Sequence, residues 1–231
     1  MVLLGVIVNA AAVILGSFFG ALFKKGIPER ITSTVIGGLA LFVLYIGIKG
    51  AVTIEGTDAL ISVFSLVIGA VIGSFFDFET KLEHFAKSLQ GRFSIHDQGN
   101  SFAQSFIYSS LMMCVGAMAI VGSFESGLQG VHDTLFAKAV IDGVFAMMLT
   151  TTMGIGIGFA AIPVFLYQGA LALFAQALSS LLTTAVINEM SVVGSLIIIG
   201  ISLNMLNLTK LRIANYILAP FIPILFMLFR H

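Results

Sequence analysis

The chain has no tryptophan, one cysteine (Cys114), four prolines and no block of like charge, and each shortage removes a class of protein. A lone cysteine excludes an internal disulfide and a thiolate-bound metal cluster. Eleven basic and eleven acidic residues cancel to a formal net charge of zero, so no basic field exists to hold nucleic acid. Charged residues make up 10% of the chain, against about 25% in an ordinary soluble domain. The motifs HExxH, GxSxG and the phosphate-binding glycine loop are all missing. His84, His96, His132 and His231 are scattered without metal-ligand spacing. The expectation is a protein that is not an enzyme and holds no cofactor.

Apolar sequence fills the space. Hydrophobic residues reach 58%, mean hydropathy is +1.09, and charge-free runs cover 1–23, 31–48, 59–76, 98–124, 143–188, 190–209 and 213–229. About 20 apolar residues cross the roughly 30 Å hydrocarbon core. The run 143–188 would span about 69 Å as one helix, which is two crossings, with Pro163 as the expected corner. The sequence therefore predicts an all-α, polytopic transmembrane helix bundle of eight spans, seven being the alternative. It forms a single domain, 1–231, with spans one to four in 1–76 and 98–124 and spans five to eight in 131–231. No basic residue precedes the first run and Lys24 and Lys25 follow it, the reverse of a cleavable signal peptide.

In the eight-span arrangement 8 of the 11 basic residues (Lys24, Lys25, Arg30, Lys81, Lys87, Arg92, Lys210 and Arg212) fall on one side. The positive-inside rule makes that side cytoplasmic and puts both termini outside. The long connection, 77–97, spaces Phe78, Leu82, Phe85, Leu89 and Phe93 by 4, 3, 4 and 4, with Lys81, Glu83, His84 and Lys87 on the other face. That pattern predicts a cytoplasmic amphipathic helix on the bilayer surface or on a partner. Internal repetition is visible too. Gly-Ser-Phe-Phe recurs at 16–19 and 73–76, which suggests that spans one–two and three–four are a duplicated pair. "VIGGLALFVLYIG" (35–47) and "VVGSLIIIGIS" (192–202) resemble each other and run in opposite directions across the membrane, as inverted repeats do.

Three long blocks, "SSLMMCVGAMAIVGSFESGLQG" (109–130), "TTTMGIGIGFAAIPVFLYQGA" (150–170) and "EMSVVGSLIIIGISLNMLNLTKLRIAN" (189–215), together with the opening "GVIVNAAAVILGSFFG" (5–20), closely resemble the bacterial domain of unknown function 554 family. The resemblance covers essentially the whole chain. It implies a multi-spanning bacterial inner-membrane protein in a lipid bilayer and no particular activity.

Candidate chemistry must then come from polar residues in apolar runs, which tend to face the bundle or a wet cavity. Asn9 lies within span one. Gly169, Ala172, Gln176, Ser179 and Thr183 form a small-polar stripe on span six, with Gln168 beside it. Lys138 and Asp142 are one turn apart; they neutralise each other, or Asp142 is an ion or proton ligand at an outer mouth. Glu189 is a solvated cap or, if buried, a proton or cation site. Asn204, Asn207 and Asn215 suit helix capping. Gly16-xxx-Gly20 and Gly69-xxx-Gly73 let helices approach closely, within the chain or across a homodimer.

The segment "LTTTMGIGIGFAAIP" (149–163) is the most unusual. In one helix Ala146, Thr150, Gly154 and Gly158 form a small-residue ridge, and Gly156 projects away from it. Each glycine costs a helix about 1 kcal/mol relative to alanine. Gly156 therefore marks either a second close neighbour or an unwound turn, at which Thr150, Thr151 and Thr152 would supply hydroxyls. Unwound helices build many transporter sites. The expectation is a small-solute or ion transporter or channel, its site formed by Thr150, Thr151, Thr152, Gly154, Gly156, Gly158, Gln168, Gln176 and Asn9. The alternative is a non-transporting scaffold or sensor acting through helix contacts.

Overall fold

A backbone in hydrocarbon must satisfy its own N–H and C=O groups, and the described residues do so by helices. The structure, a computed structural model, describes residues 2–24, 29–52, 57–92, 101–115, 117–179 and 182–228. In order these form α1 (Leu4–Lys24), α2 (Glu29–Val52), α3 (Ala59–Phe76), α4 (Phe78–Arg92), α5 (Ser101–Val115), α6 (Ala117–Leu128), α7 (Asp133–Met153), α8 (Gly156–Phe159), α9 (Ala161–Leu173), α10 (Ala175–Leu178), α11 (Thr184–Met205) and α12 (Ile222–Leu228). Two short 3-10 turns, Ile213–Tyr216 and Ala219–Phe221, precede α12. No strand occurs among the described residues.

Six segments are long and apolar enough to cross a membrane, and α5 with α6, bent by 58°, would make a seventh. The expected eighth span, 213–229, is instead a short apolar segment of 3-10 turns and one short helix. Pro220 and Pro223 explain this, since neither can donate to a helical ladder. The corner expected at Pro163 lies at Gly154. There α7 stops with φ 97° and ψ −178°, a backbone region open essentially to glycine alone. Pro163 sits harmlessly in the first turn of α9.

Close packing follows the small residues. A Cβ on Gly16 would lie 2.0 Å from the Gly143 carbonyl oxygen, and one on Gly20 would lie 2.3 Å from that of Met147. Helices α1 and α7 therefore run parallel, backbone against backbone. The second glycine pair meets the C-terminal segment: Gly69 faces Ala219 and Gly73 faces the Asn215 carbonyl, an antiparallel arrangement. The two Gly-Ser-Phe-Phe segments thus have different partners, and both glycine faces are occupied from within the chain. The other matched pair, in α2 and α11, packs directly and antiparallel: Gly47 meets Ile199, Gly50 meets Ser195, and the Ser202 hydroxyl donates to the Ala40 carbonyl at 2.7 Å.

At the C-terminal end of α3, Asp77 turns the chain with φ 50° into α4. Arg212 bonds the Asp77 carboxylate at 2.6 Å, the Glu79 carboxylate accepts the Ala214 N–H, and the Asn215 side chain accepts the Glu79 N–H. The Thr80 hydroxyl holds the Asp77 carboxyl below its ordinary range, whereas burial pushes that of Glu79 up. Asn204 accepts the Leu211 N–H and the Thr209 hydroxyl and donates to the Leu211 carbonyl, and Asn207 turns the chain at φ 58°. The three asparagines therefore serve as turn and cap residues. Ala86 is buried, Leu82 and Leu89 pack on the core and the Phe85 ring meets Phe106. Phe93 lies outside the described residues.

Replacing Gly154 with alanine is expected to destabilise the protein by about 1–3 kcal/mol, because the new side chain cannot share that backbone conformation. Gly37→Ala, where a Cβ meets nothing within 4 Å, is expected to be neutral or to gain up to about 1 kcal/mol of helix propensity. Thermal unfolding of the detergent-solubilised variants checks both.

Candidate functional site

The parallel contact of α1 with α7 decides which polar groups meet. Asn9 on α1 and Lys138 on α7 each lie five residues past the helix start (Leu4 and Asp133), about 7 Å along the axis. Asp142 follows Lys138 by one turn. The third wall is α9, which presents Gln168. Asn9 and Gln168 have no exposed surface, and Lys138 and Asp142 are each only 6% exposed.

The contacts form one row. The Lys138 ammonium donates to Asp142 Oδ2 at 2.6 Å. Asn9 Nδ2 donates to the same Oδ2 at 3.1 Å and to Gln168 Oε1 at 3.1 Å. Asn9 Oδ1 and Gln168 Nε2 are then left buried with no partner. The cluster is uncharged overall, sealed, and two hydrogen bonds short. A buried ion pair is weak evidence for stability, since desolvation offsets most of its attraction. Each unmet buried polar atom costs about 1–3 kcal/mol more.

Of the predicted residues, Asn9, Gln168 and Asp142 converge although 133 and 159 positions separate Asn9 from its two partners. Lys138, which sequence spacing treated only as the neutraliser of Asp142, completes the row. The glycine–threonine residues lie elsewhere. Thr150 shares a hydrogen bond of 2.8 Å with Ser17 of α1, while Thr151 and Thr152 donate to the Met148 and Leu149 carbonyls of their own helix. Gly154 is the turn between two spans. Gly156 abuts the Phe102 carbonyl and Ser105 of α5, and Gly158 abuts Ser17. Gly156 therefore takes the close-neighbour branch of its two expectations, and the break falls at Gly154, which the ridge had counted as helical. Gly154 leaves the small-residue ridge because its backbone is no longer helical. The stripe on span six is cut at Phe174, where α9 ends, and Gln176 is exposed on α10.

Glu189 takes the buried branch of its two expectations. It is 2% exposed near the start of α11, where its carboxylate accepts the Asp58 N–H and stands 3.5 Å from the Ser62 hydroxyl. The fully buried Ser65 hydroxyl, one turn along α3 from Ser62, has no partner. An apolar cavity of about 360 Å³ lies between α4, α5, α9 and the C-terminal segment, lined in part by Phe106, Cys114, Phe221 and Tyr167, the residue before Gln168.

Comparison with known proteins places this chain in a family. The family model described as "Protein of unknown function (DUF554)" matches residues 4–228. An uncharacterized membrane protein of Bacillus subtilis (strain 168), YdfK, is 30% identical over 222 residues, covering 95% of this chain and 93% of that protein. The uncharacterized protein YqgA of Escherichia coli (strain K12) is 28% identical over 216 residues, covering 92% and 91%. No solved structure matches the chain. The chain belongs to the DUF554 family, and it is a membrane protein.

Removing one member of the buried pair strands the other. Lys138→Met or Asp142→Leu alone is expected to destabilise the protein by about 3–5 kcal/mol, and the double variant Lys138→Met/Asp142→Leu to recover most of that loss. Unfolding of the four proteins in one detergent measures the coupling.

Proposed function

We propose that this DUF554-family protein is a transporter or channel for small solutes or ions, and that its site is the Asn9–Lys138–Asp142–Gln168 cluster. The observation that carries this reading is the pair of buried, unpartnered atoms, Asn9 Oδ1 and Gln168 Nε2. Cohesion between helices needs no such arrangement. The backbone contact at Gly16 and Gly20 already holds α1 to α7. Ionisable residues within membrane-spanning segments are rare and costly, and they mark substrate and ion pathways.

The surroundings support a way of opening it. Helices α1 and α7 form a fixed pair, in backbone contact. Helix α9 stands off: a Cβ on Gly169 would lie 3.9 Å from Leu3 and 4.0 Å from Val6, ordinary side-chain contact. It is joined to α7 through the turn at Gly154 and the short α8. In this reading α8 stays packed on α5 and α1, and α9 swings about its junction with α8 at Ala160, parting Gln168 from Asn9. The glycine–threonine segment then anchors the moving helix, while binding belongs to the cluster. Opening toward the 360 Å³ cavity beside Tyr167 supplies the route to the cytoplasmic side, in an inner-membrane orientation with the N-terminus outside.

The purified protein in proteoliposomes is expected to raise the permeability to at least one member of a panel of neutral solutes and monovalent ions above that of protein-free vesicles. The Lys138→Met/Asp142→Leu double variant, folded but without the ion pair, is expected to lose that flux. Wild-type flux through the folded double variant, or no flux of any panel member through the native protein, would sink the reading.

A further inference from the structure

Amide side chains can present either end to a neighbour, so their direction has to be derived from their partners. Here a single charge dictates it. Asp142 Oδ2 already accepts from Lys138, so Asn9 must turn its Nδ2 toward that oxygen. The same Nδ2 lies 3.1 Å from Gln168, so Gln168 must answer with Oε1. The reverse orientation of either amide would set oxygen against oxygen or N–H against N–H. The row is therefore polarised from Lys138 through to Gln168. What it leaves over is set as well: one acceptor, Asn9 Oδ1, and one donor, Gln168 Nε2.

We propose that these two atoms recognise a small uncharged solute of the primary-amide class. Its N–H donates to Asn9 Oδ1, and its carbonyl oxygen accepts from Gln168 Nε2. This rests on the transport reading and names the substrate class for the same site. Charge argues for a neutral solute. The only formal charges in the cluster, Lys138 and Asp142, neutralise each other at 2.6 Å, so an ion or zwitterion would arrive in a low-dielectric interior with no free countercharge. Hydrogen-bond polarity argues for an amide. A solute with acceptors alone leaves Asn9 Oδ1 unmet, and one with donors alone leaves Gln168 Nε2 unmet. An amide carries its donor and its acceptor as two separate atoms on one carbon, where a lone hydroxyl offers both from a single oxygen.

The test uses the full-length protein in liposomes with urea and acetamide as probes. Stopped-flow light scattering reads their permeability beside those of water and glycerol, and ion-sensitive dyes read sodium and potassium. Urea and acetamide permeability above that of protein-free vesicles, with propionamide slowing both and with glycerol, water and ions at background, is the expected result. Gln168→Glu, which exchanges the free donor for an acceptor at nearly constant shape, is expected to cut amide flux about tenfold, the effect of one unmet buried hydrogen-bonding group. Gln168→Met serves in its place if the glutamate variant fails to elute as a single folded species. Flux of ions, glycerol or water without amide flux would leave transport standing and overturn the amide assignment. Unchanged amide flux in a folded Gln168 variant would overturn it too. No flux of any probe through the native protein would remove the transport reading as well.

Discussion

Backbone contact between α1 and α7 is the constraint on which the polar interior depends. A carbonyl oxygen of α7 occupies the volume a side chain at Gly16 would need, and another does the same at Gly20. Two helices this close have no freedom to slide. Their register brings Asn9 level with Asp142 and Ser17 level with Thr150, one hydrogen bond at each level. A larger residue at either glycine would lift α1 away and separate Asn9 from the carboxylate. The packing motif and the polar cluster are thus one device, with glycine supplying proximity and the cluster using it.

The interior is correspondingly uneven. At the α1–α7 contact it is dense, and every threonine hydroxyl of the 150–152 run has a partner. At the cluster it is sealed yet incomplete. The Glu189 region repeats the pattern on a smaller scale, with a carboxylate met by the Asp58 N–H and the Ser62 hydroxyl and a buried, unpartnered Ser65 hydroxyl nearby. Glu189 lies near the N-terminal start of α11, and Asp142 midway along α7. The opposite end of α11 is organised differently. There Asn204, Asn215, Asp77 and Arg212 saturate the turns around α4 with hydrogen bonds. Polar residues at that end close the backbone, whereas those of the two carboxylate clusters reach across helices.

Much of this was legible in one dimension, and the parts that were not share a cause. Charge-free length specified membrane helices, because hydrocarbon penalises charge residue by residue. Spacing specified the Lys138–Asp142 pair, because a helix puts positions four apart on one face. The small-residue motifs announced close contacts without saying with what: α1 chose α7, and α3 chose the C-terminal segment. That the break falls at Gly154, with Gly156 packed, was hidden for the same reason. Helical geometry assumes the helix continues, and which glycine breaks it is decided by what its neighbours touch. Gly156 is held by Phe102 and Ser105 of α5, leaving the turn to Gly154. The stripe ending in Gln176 failed because α9 stops at Leu173.

By itself, then, the sequence determined the class of protein, its approximate spans, and that Asn9, Gln168 and Asp142 were polar groups in an apolar setting. Those properties are local: each is a cost or preference summed along the chain. Only the tertiary structure decided that the three meet, that Lys138 joins them, and that one acceptor and one donor stay unpaired. Such facts depend on which helix faces lie together across more than a hundred residues, and hydrophobic patterning is nearly blind to that choice where lipid and protein interior are equally apolar.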